Sequence, residues 1–344
     1  MKAAVVFGGI SPERNVSIAG GKAVCKALRE RNYEVIAIDP ALGKNCKVND
    51  EEYEIIDRFP TDEELAKFSS RSLIKCADSP VWDDIDIAFL VLHGQYGEDG
   101  LFQSLLELRG VPYTGSRVMA SSVGIDKLAS KMLFVADRIP TPPWATVRKE
   151  EYGNFTFYGN IIRELGNKLV VKPNDQGSTI GITIIDDAHE EKIHKAISFA
   201  KKYSDIVLVE KFIEGRELTV GMIGEDPLPV IEIVPESGFY DYEHKYIKGK
   251  TKYICPAEID EHSRKKLMDI AALAFRAIGC SGFGRVDFRM DDFGEVFCLE
   301  ANTIPGFTAT SLVPMAAKET GIDFPDLCLK IIDIALKEFN GIDL

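Results

Sequence analysis

Residues 3–14 read AAVVFGGISPER, a short apolar segment followed by two glycines and a charged pair. The apolar segment predicts a buried parallel strand over Ala3–Phe7, because strands covered on both faces are almost continuously hydrophobic. Apolar residues at helical spacing follow over Ser17–Glu30, and Tyr33–Ile38 predicts a second strand. This order is typical of a doubly wound α/β sheet, so we expect ligand-binding residues at the carboxyl ends of its strands.

The composition is that of a globular protein and excludes several classes of function. The 344 residues predict two or three domains. Lys and Arg number 41 and Asp and Glu 54, and the net charge of −13 argues against a protein that coats nucleic acid or an anionic membrane. No apolar run approaches the ~18 residues of a membrane span. The seven cysteines lack CxxC spacing, which predicts free thiols in a reducing, cytoplasmic compartment.

Strand and helix patterns continue along the rest of the chain. Residues 41–80 are polar and irregular, and Pro235–Cys255 has the composition of a long loop. The predicted helices are Gly100–Arg109, Ser122–Ala136, Glu190–Lys202, Ser263–Ile278 and Phe324–Phe339. The predicted strands are Ile85–Leu92, Val111–Thr114, Leu169–Lys172, Ile180–Ile185, Ile206–Glu210, Glu217–Ile223, Leu228–Val234, Gly284–Met290 and Glu295–Glu300.

Two glycine-containing turns are candidate anion sites. Gly8 and Gly9 join a strand to a helix, where backbone amides bind anions, although the turn matches neither GxGxxG nor a P-loop. A plain strand-to-helix turn explains the same residues. Lys172 ends a strand before a second turn that contains Gly and Ser, which suits a phosphate group or an ordinary hairpin. His93 follows another strand at the same predicted edge and is a candidate ligand contact.

The strongest local pattern lies on two late strands. Arg285 and Asp287 are two residues apart, as are Glu300 and Asn302, so each pair shares a strand face. Carboxylate and amide oxygens suit Mg²⁺, and an arginine beside them would neutralise developing negative charge. A solvated face with a cross-strand salt bridge is the alternative. Apolar residues in the opposite phase favour the metal site: Val286, Phe288, Phe297 and Leu299.

A further pair ends a strand between these patterns. Glu210 and Lys211 have backbone groups that could bind an adenine edge, and Glu217 could bind ribose hydroxyls, or the three could be surface residues. The sequence contains no GxSxG or HExxH motif and no supported Cys–His pair, so no protein nucleophile is indicated.

These segments together resemble the D-alanine–D-alanine ligases of the ATP-grasp superfamily over nearly the whole chain. The resemblance implies an α/β protein with an ATP-grasp fold, preceded by a Rossmann-like domain and ending in an antiparallel-sheet domain. It implies domains at residues 1–116, 117–211 and 212–344, with a lid loop at 235–255. The segments that carry it begin at Gly8, His93, Pro112, Asp126, Val171, Gly177, Asp241, Gly284, Leu299 and Thr310.

The resemblance also implies roles for single residues in substrate binding. Glu13 would hold the ammonium group of a first D-alanine, within a hydrogen-bonded set that includes Ser178 and Tyr246. Arg285 and the Gly306 amide would stabilise a tetrahedral intermediate. The residues that would receive the second D-alanine are Ser311, at its carboxylate, and Leu312.

The remaining implied roles concern ATP and metal ions. The residues that would contact ATP phosphates are Lys127, Lys172 and Lys245. Those that would frame the adenine are Glu210, Lys211 and Ile213, and Glu217 would bind the ribose. The ligands of two Mg²⁺ ions, or of Mn²⁺ in their place, would be Asp287, Glu300 and Asn302.

The implied reaction joins two D-alanines at the expense of ATP, through D-alanyl phosphate, for peptidoglycan precursors. The resemblance implies a cytoplasmic homodimer whose partners are D-alanine and ATP, with no nucleic acid or membrane. A ligase that uses D-lactate or D-serine second is the close alternative, and Tyr246 favours the dipeptide. Two further alternatives are less favoured. The chain lacks the GxGxxG motif expected of a nicotinamide-dependent oxidoreductase, and a non-enzymatic ATP-binding regulator would not need the full set of charged residues. The departures from the family pattern, most of them near the second-substrate pocket, are Asn15, Ile304, Phe307 and Thr310.

Overall fold

The computed structural model of the chain describes residues 1–235 and 251–341, and these residues form three sheets. The first sheet has the order β3-β2-β1-β4, with strands β1 (Lys2–Val6), β2 (Glu34–Ile38), β3 (Lys47–Val48) and β4 (Ile87–Leu90). The parallel pairing of β1 with β2 and β4, and the complete burial of residues 3–6, confirm the predicted buried strand. The strand predicted at Val111–Thr114 is reduced to one isolated bridge between Ala88 and Tyr113.

The helices beside this sheet include short ones that the sequence pattern misses. They are α1 (Arg14–Glu30), α2 (Asp62–Leu65), α3 (Arg71–Ala77) and α4 (Leu101–Arg109). Residues 41–80 are therefore not irregular throughout, since they contain β3, α2 and α3. A capping box between Thr61 and Glu64 starts α2, and α3 buries Leu73 and Cys76 in the core. Elements this short carry too few apolar positions to show a period.

The helix predicted over Ser122–Ala136 is two helices, α5 (Val118–Ile125) and α6 (Lys127–Ala136). Asp126 separates them because its backbone is extended, and its carboxylate accepts a hydrogen bond of 2.8 Å from the Ala129 amide. A capping residue of this kind ends one helix and starts another. The break sets the direction in which the first residues of α6 point.

The second sheet is antiparallel and has the order β5-β8-β6-β7. Its strands are β5 (Trp144–Val147), β6 (Leu169–Pro173), β7 (Thr183–Ile185) and β8 (Val207–Lys211). The helices α7 (Phe155–Leu165) and α8 (Glu190–Ala200) accompany it. The sequence analysis predicts neither β5 nor α7, and it starts β7 too early, at Ile180.

The third sheet has the order β12-β11-β9-β13-β14, with β10 beside β9. Its strands are β9 (Arg216–Ile223), β10 (Asp226–Pro227), β11 (Ile231–Pro235), β12 (Thr251–Ile254), β13 (Phe283–Met290) and β14 (Val296–Asn302). The loop predicted over Pro235–Cys255 is wrong at its ends, because Pro235 pairs with Thr251 within the sheet. Residues 236–250 lie outside the described part of the chain. The helices after β12 are α9 (Glu261–Ile278), α10 (Leu312–Glu319) and α11 (Phe324–Asn340).

A β-bulge in β14 decides which of its side chains share a face. Asp287 lies opposite Glu300, but the register shifts directly afterwards and leaves Leu299 as an extra residue. The prediction that Phe297 and Leu299 lie in the buried phase is therefore wrong. Without the bulge, alternation would turn Glu300 toward the core. The buried residues of β14 are Val296, Cys298 and Ala301.

The largest hydrophobic cluster joins the first sheet to the end of the chain. Residues of α10 and α11 belong to the same buried cluster as β1 and β4. The Phe307 ring lies 5.6 Å from Phe89 and 5.1 Å from Phe283, which fixes the loop after β14 against the first sheet. None of the helices in the described part is long and apolar enough to span a membrane.

The packing of α1 on β1 predicts a strong sensitivity at Gly21. A Cβ there would lie 2.3 Å from Cγ of Phe7, so we expect Gly21→Ala to lower the free energy of unfolding by about 1–3 kcal/mol. Gly159→Ala in α7 is the matched control, because its Cβ would meet only the flexible end of Glu190. It should leave stability unchanged or raise it by up to about 1 kcal/mol. Equal thermal unfolding midpoints for the two variants would contradict this packing.

Candidate active site

A buried carboxylate lies where segments from three parts of the chain meet. Glu13, just before α1, is 6% exposed, and the Ser178 hydroxyl from the β6–β7 loop donates a hydrogen bond to it. A Cβ at Gly177 would lie 3.0 Å from Glu13 Oε2, and one at Gly94 would lie 2.7 Å from it. These loops therefore approach the carboxylate closely because both positions are glycine. The structure thus brings together Glu13 and Ser178, as predicted.

Arg14 and Asp39 fix the first glycine turn. The Arg14 guanidinium donates to the Gly9 carbonyl at 2.6 Å and to Asp39 at 3.1 Å. The Gly9 amide donates to Asp39 at 3.1 Å, and the Gly8 amide donates to the Ser17 hydroxyl at 2.8 Å. Both amides are used within the protein, contrary to the expectation that they bind an anion.

His93 joins the first sheet to the loop after β14. Its Nδ1 lies 2.8 Å from the Ile304 carbonyl oxygen and 3.9 Å from a Glu98 carboxylate oxygen. Burial acts to lower the pKa of this imidazole, but the carboxylates of Glu98 and Glu13 outweigh burial, so the pKa is raised. Among the described residues, no group forms a hydrogen bond with its buried Nε2.

The face shared by β13 and β14 collects oxygen donors beside a guanidinium. Asp287 accepts two hydrogen bonds of 2.7 Å from Arg285, one of 2.6 Å from Thr219 and one of 3.0 Å from Asn302. Glu300 lies opposite Asp287 in the strand register. The two predictions for this face therefore coexist, because a salt bridge and a set of hard oxygen donors occupy the same surface.

Lys127, the first residue of α6, points toward this face. Its ammonium lies 3.1 Å from Glu300 Oε2 and donates a 2.7 Å hydrogen bond to the Gln176 carbonyl. Its backbone amide donates to the Asn174 carbonyl at 3.0 Å. The side chain is only 7% exposed, so the ammonium is held between β14 and the β6–β7 loop.

A second buried ionic cluster joins β6, β8 and α6. One carboxylate oxygen of Glu210 lies 2.9 Å from the Lys172 ammonium and 3.3 Å from the Lys131 ammonium. Burial acts to raise the pKa of Glu210, but the two lysines outweigh burial and lower the pKa. Burial, with repulsion from Lys172, lowers the pKa of Lys131 to about 8, although Glu210 opposes that shift.

The predicted adenine and ribose contacts lie beside this cluster, at the end of β8 and the start of β9. Lys211 is exposed, whereas Ile213 is 7% exposed. Arg289 donates a 3.0 Å hydrogen bond to the Ile213 carbonyl and lies 3.5 Å from a Glu217 carboxylate oxygen. Arg289 thus holds the residues that sequence analysis assigns to the nucleoside.

The predicted second-substrate residues surround the start of α10. The Ser311 hydroxyl accepts a 2.9 Å hydrogen bond from the Thr308 amide. A Cβ at Gly306 would lie 3.8 Å from that hydroxyl, which is ordinary van der Waals contact, and both residues line one cavity. Leu312, the first residue of α10, is 9% exposed. A helix start with an accessible hydroxyl suits a carboxylate.

A cavity of ≈ 1190 Å³ connects most of these groups. Among the predicted site residues, it is lined by Glu13, His93, Ser178, Arg285, Glu300, Asn302, Gly306, Ser311 and Leu312. Lys127 lines a smaller pocket that shares Glu300 and Asn302 with this cavity. The residues that neither pocket includes are Lys172, Glu210, Lys211, Ile213, Glu217 and Asp287. Lys245 and Tyr246 lie outside the described residues.

Comparison with known proteins identifies the family. A family model described as D-ala D-ala ligase N-terminus matches residues 2–116, and one described as D-ala D-ala ligase C-terminus matches residues 133–333. The chain belongs to the D-alanine–D-alanine ligase family. It is 40% identical over 343 residues to the D-alanine–D-alanine ligase of Pelotomaculum thermopropionicum, covering 98% of this chain and 97% of the relative. For the enzyme of Geobacter sulfurreducens the identity is 39% over 341 residues, covering 99% and 96%.

Solved structures of the family have the same fold. The D-alanine–D-alanine ligase of Bacillus anthracis, complexed with ATP, matches with a TM-score of 0.78 and 30% identity over 99% of both chains. The VanG D-Ala:D-Ser ligase of Enterococcus faecalis matches with a TM-score of 0.76 and 29% identity, covering 97% of this chain and 99% of that one. The predicted α/β class with an ATP-grasp fold is confirmed, and this family member is a ligase.

Two cations that contact predicted site residues, Lys131 and Arg289, are absent from the sequence-based predictions. Lys131 lies four residues after Lys127, so the two share one face of α6, and this spacing is the signal that could have drawn attention to it. Nothing in the sequence pairs Lys131 with Glu210, because that contact depends on how α6 packs on β8. Arg289 continues the alternation of Arg285 and Asp287 on β13 and could have been found in the same way.

The four residues that depart from the family pattern all lie in the described part of the chain. Asn15 donates a 2.7 Å hydrogen bond to the Arg58 carbonyl, which ties α1 to residues 41–80. Ile304 and Phe307 are 2% and 1% exposed. Thr310 lies 3.3 Å from Thr308 through their hydroxyl oxygens.

The burial of Lys131 predicts an ammonium whose pKa is lowered toward neutral pH, and the Glu210 contact limits that shift. In a protein with ¹³C-labelled lysine, we expect the Lys131 ammonium to titrate with a pKa of about 8. Glu210→Gln should lower that pKa further, because it removes the negative charge that stabilises the protonated form. Lys168, whose pKa is raised by its hydrogen bond with Glu214, should titrate at the same pH in both proteins. An unchanged Lys131 pKa in Glu210→Gln would contradict the contact.

Proposed function

We propose that this ligase joins two D-alanines to D-alanyl-D-alanine with ATP, releasing ADP and phosphate, for peptidoglycan precursor synthesis. The observation that carries the proposal is the cavity in which the buried Glu13 carboxylate lies with Arg285, Glu300 and Ser311. Glu13 suits an ammonium group and Arg285 a developing negative charge. Glu300 suits a cation, and Ser311 suits a carboxylate. The names of its relatives, D-alanine–D-alanine ligases at about 40% identity, support the same reaction.

The first D-alanine is proposed to bind through its ammonium at Glu13. Glu13 is buried and lines the cavity, and a carboxylate in such a position forms a strong charge-assisted hydrogen bond with an ammonium group. Ser178 orients the carboxylate through its hydrogen bond. Tyr246 would complete this hydrogen-bonded set and Lys245 would contact the γ-phosphate, and both roles rest on the sequence resemblance alone. His93 is proposed as a further substrate contact, since its Nε2 lies in a buried position beside the cavity.

ATP is proposed to bind between the second and third sheets. Lys127 and Lys172 would contact its phosphates, which requires each ammonium to share or exchange its present carboxylate partner. The other proposed nucleotide contacts are Glu210, Lys211 and Ile213 at the adenine and Glu217 at the ribose.

The donor set on β13 and β14 fits Mg²⁺. Two carboxylates and one amide, from Asp287, Glu300 and Asn302, offer hard oxygens at neighbouring register positions. The described residues contain no group of three or more His, Cys, Asp or Glu side chains that could hold a metal, and this set has only two carboxylates. Such a site leaves coordination positions for phosphate oxygens. Two Mg²⁺ ions, or Mn²⁺, would supply neutralisation of phosphate charge there.

The chemistry needs positioning and charge rather than a protein nucleophile. The carboxylate oxygen of the first D-alanine forms a bond to the γ-phosphorus as the bond to ADP breaks, which gives D-alanyl phosphate. The amine of the second D-alanine then bonds to the acyl carbon, loses a proton, and phosphate leaves. Arg285 and the Gly306 amide are proposed to stabilise the tetrahedral oxyanion. Ser311 and Leu312 are proposed to hold the second D-alanine.

A ligase that uses D-serine or D-lactate as second substrate is the alternative. The solved D-Ala:D-Ser ligase is 29% identical to this chain, whereas the relatives named as D-alanine–D-alanine ligases are about 40% identical. We also propose domains at residues 1–116, 117–211 and 212–344, a homodimer and a cytoplasmic location. Each proposed domain carries one of the three sheets.

The reaction is tested with D-alanine as sole amino acid. With ATP and Mg²⁺, we expect phosphate release matched one to one by D-alanyl-D-alanine in mass spectra. Addition of D-lactate or D-serine should yield little mixed product, since D-alanine is the proposed second substrate. A chain that releases no phosphate with D-alanine alone would contradict the proposal, and a dominant mixed product would favour the alternative.

The metal assignment predicts that a single side-chain substitution in β14 has a large effect on turnover. Glu300→Gln should reduce Mg²⁺-dependent turnover by about 100-fold or more, because it removes a charged oxygen at the reacting phosphates. Thermal unfolding should change little, since the side chain is not in the core. Glu295→Gln is the control, because Glu295 pairs with Lys266 at the far end of the same hairpin. Turnover of Glu300→Gln equal to that of the control would mean that Glu300 is not a metal ligand.

A further inference from the structure

Lys131 is a fully buried cation with three acceptors around its ammonium. The ammonium lies 3.3 Å from Glu210 Oε1 and donates hydrogen bonds of 2.6 Å to the Thr141 hydroxyl and 3.0 Å to the Pro142 carbonyl. It also lies 5.0 Å from the centre of the Trp144 ring. Thr141 and Pro142 accept hydrogen bonds from this ammonium and Glu210 lies within ion-pair distance of it, so protein groups already surround it.

We propose that Lys131 is a positioning residue of the nucleotide site, which holds the Glu210 carboxylate charged and in place while Lys172 turns toward the phosphates of ATP. This inference rests on the proposed function, because it assumes that Lys172 and Glu210 contact the nucleotide.

The charges of the cluster carry the argument. Glu210 is 2% exposed and shares one oxygen between two ammonium groups, so the three side chains have a net charge of +1. Without Lys131, Lys172 would be the remaining cation within ion-pair distance of that oxygen among the described residues. It would then be held at Glu210, because separating a buried ion pair leaves an uncompensated charge. Lys131 therefore provides the second positive charge that releases Lys172.

The anchoring of Lys131 explains why it, and not Lys172, stays at Glu210. Its two other hydrogen bonds go to residues 141 and 142, which lead directly into β5. Trp144 of β5 lies opposite Glu210 in the strand register. Among the described residues, Lys172 has no comparable second acceptor, and its ion pair with Glu210 is the contact that ATP would replace. The α6 face thus supplies Lys127 at one side of the nucleotide site and Lys131 at the other.

The test measures ATP binding by calorimetry without D-alanine, followed by steady-state kinetics. Lys131→Met should raise the Kd and the KM for ATP at least tenfold, while kcat at saturating ATP and the KM for D-alanine change less than threefold. Lys131→Arg keeps the charge and should recover most of the ATP affinity. Lys201→Met is the control, because Lys201 also lies over an aromatic ring, at 5.2 Å from Tyr152, but on an exposed helix end. It should bind ATP as the wild type does.

A second comparison separates this role from a loss of structure. In a Glu210→Gln background the carboxylate is absent, so adding Lys131→Met should change the Kd for ATP less than twofold. A tenfold change in that background would overturn the inference, whether or not Lys131→Met alone folds. An unchanged Kd in folded Lys131→Met would also overturn it.

The outcomes also distinguish this inference from the proposed function. A wild-type chain that binds ATP but does not ligate D-alanine contradicts the proposed reaction and leaves the Kd comparisons decisive for Lys131. If the wild type is an active ligase and Lys131→Met leaves the Kd for ATP unchanged, the positioning role alone is contradicted. A wild-type chain that binds no ATP overturns both.

Discussion

The register of β14 against β13 is the constraint on which the candidate site depends. The extra residue at Leu299 turns Glu300 to the face that carries Arg285 and Asp287, and the same face then meets Lys127 from α6. A regular strand would direct the Glu300 carboxylate into the hydrophobic core, away from Lys127 and from the face that carries Asp287. One inserted residue therefore determines both the donor set on the sheet and the ionic contact between the sheet and the helix.

The two lysines that are proposed to contact phosphates each have a carboxylate beside them, and this pairing shapes how ligands would bind. Lys127 contacts Glu300, and Lys172 contacts Glu210. A phosphate group or a metal ion that enters must replace these contacts, so its affinity is the difference between new and existing interactions. Such exchange favours ligands that satisfy several groups at once, and a nucleotide with metal ions supplies both signs of charge. Arg14 and Asp39, in contrast, have backbone partners in the turn that they hold.

The sequence predicts the parts of this molecule whose patterns are local. The buried strand at residues 3–7, the long helices and the oxygen donors on two adjacent strands all follow from spacing along the chain. The two-helix break at Asp126 depends on one capping side chain, and the bulge at Leu299 depends on how two strands align. The Lys131–Glu210 contact depends on the packing of α6 against β8. A periodic pattern of apolar residues contains neither a single capping residue nor a strand register, and it contains no contact between segments as distant in sequence as Lys131 and Glu210.

The return of α10 and α11 to the first sheet has a consequence for synthesis on the ribosome. The core of β1 and β4 is completed by residues up to Ala335, close to the end of the chain. The first 116 residues, although a family model matches them as a unit, leave the exit tunnel with part of their apolar surface uncovered. That surface stays uncovered until about two hundred further residues have been synthesised, which takes roughly ten seconds or more at 5–20 residues per second. Native packing of the first sheet therefore follows the synthesis of α11, and chaperone contact would fall in that interval.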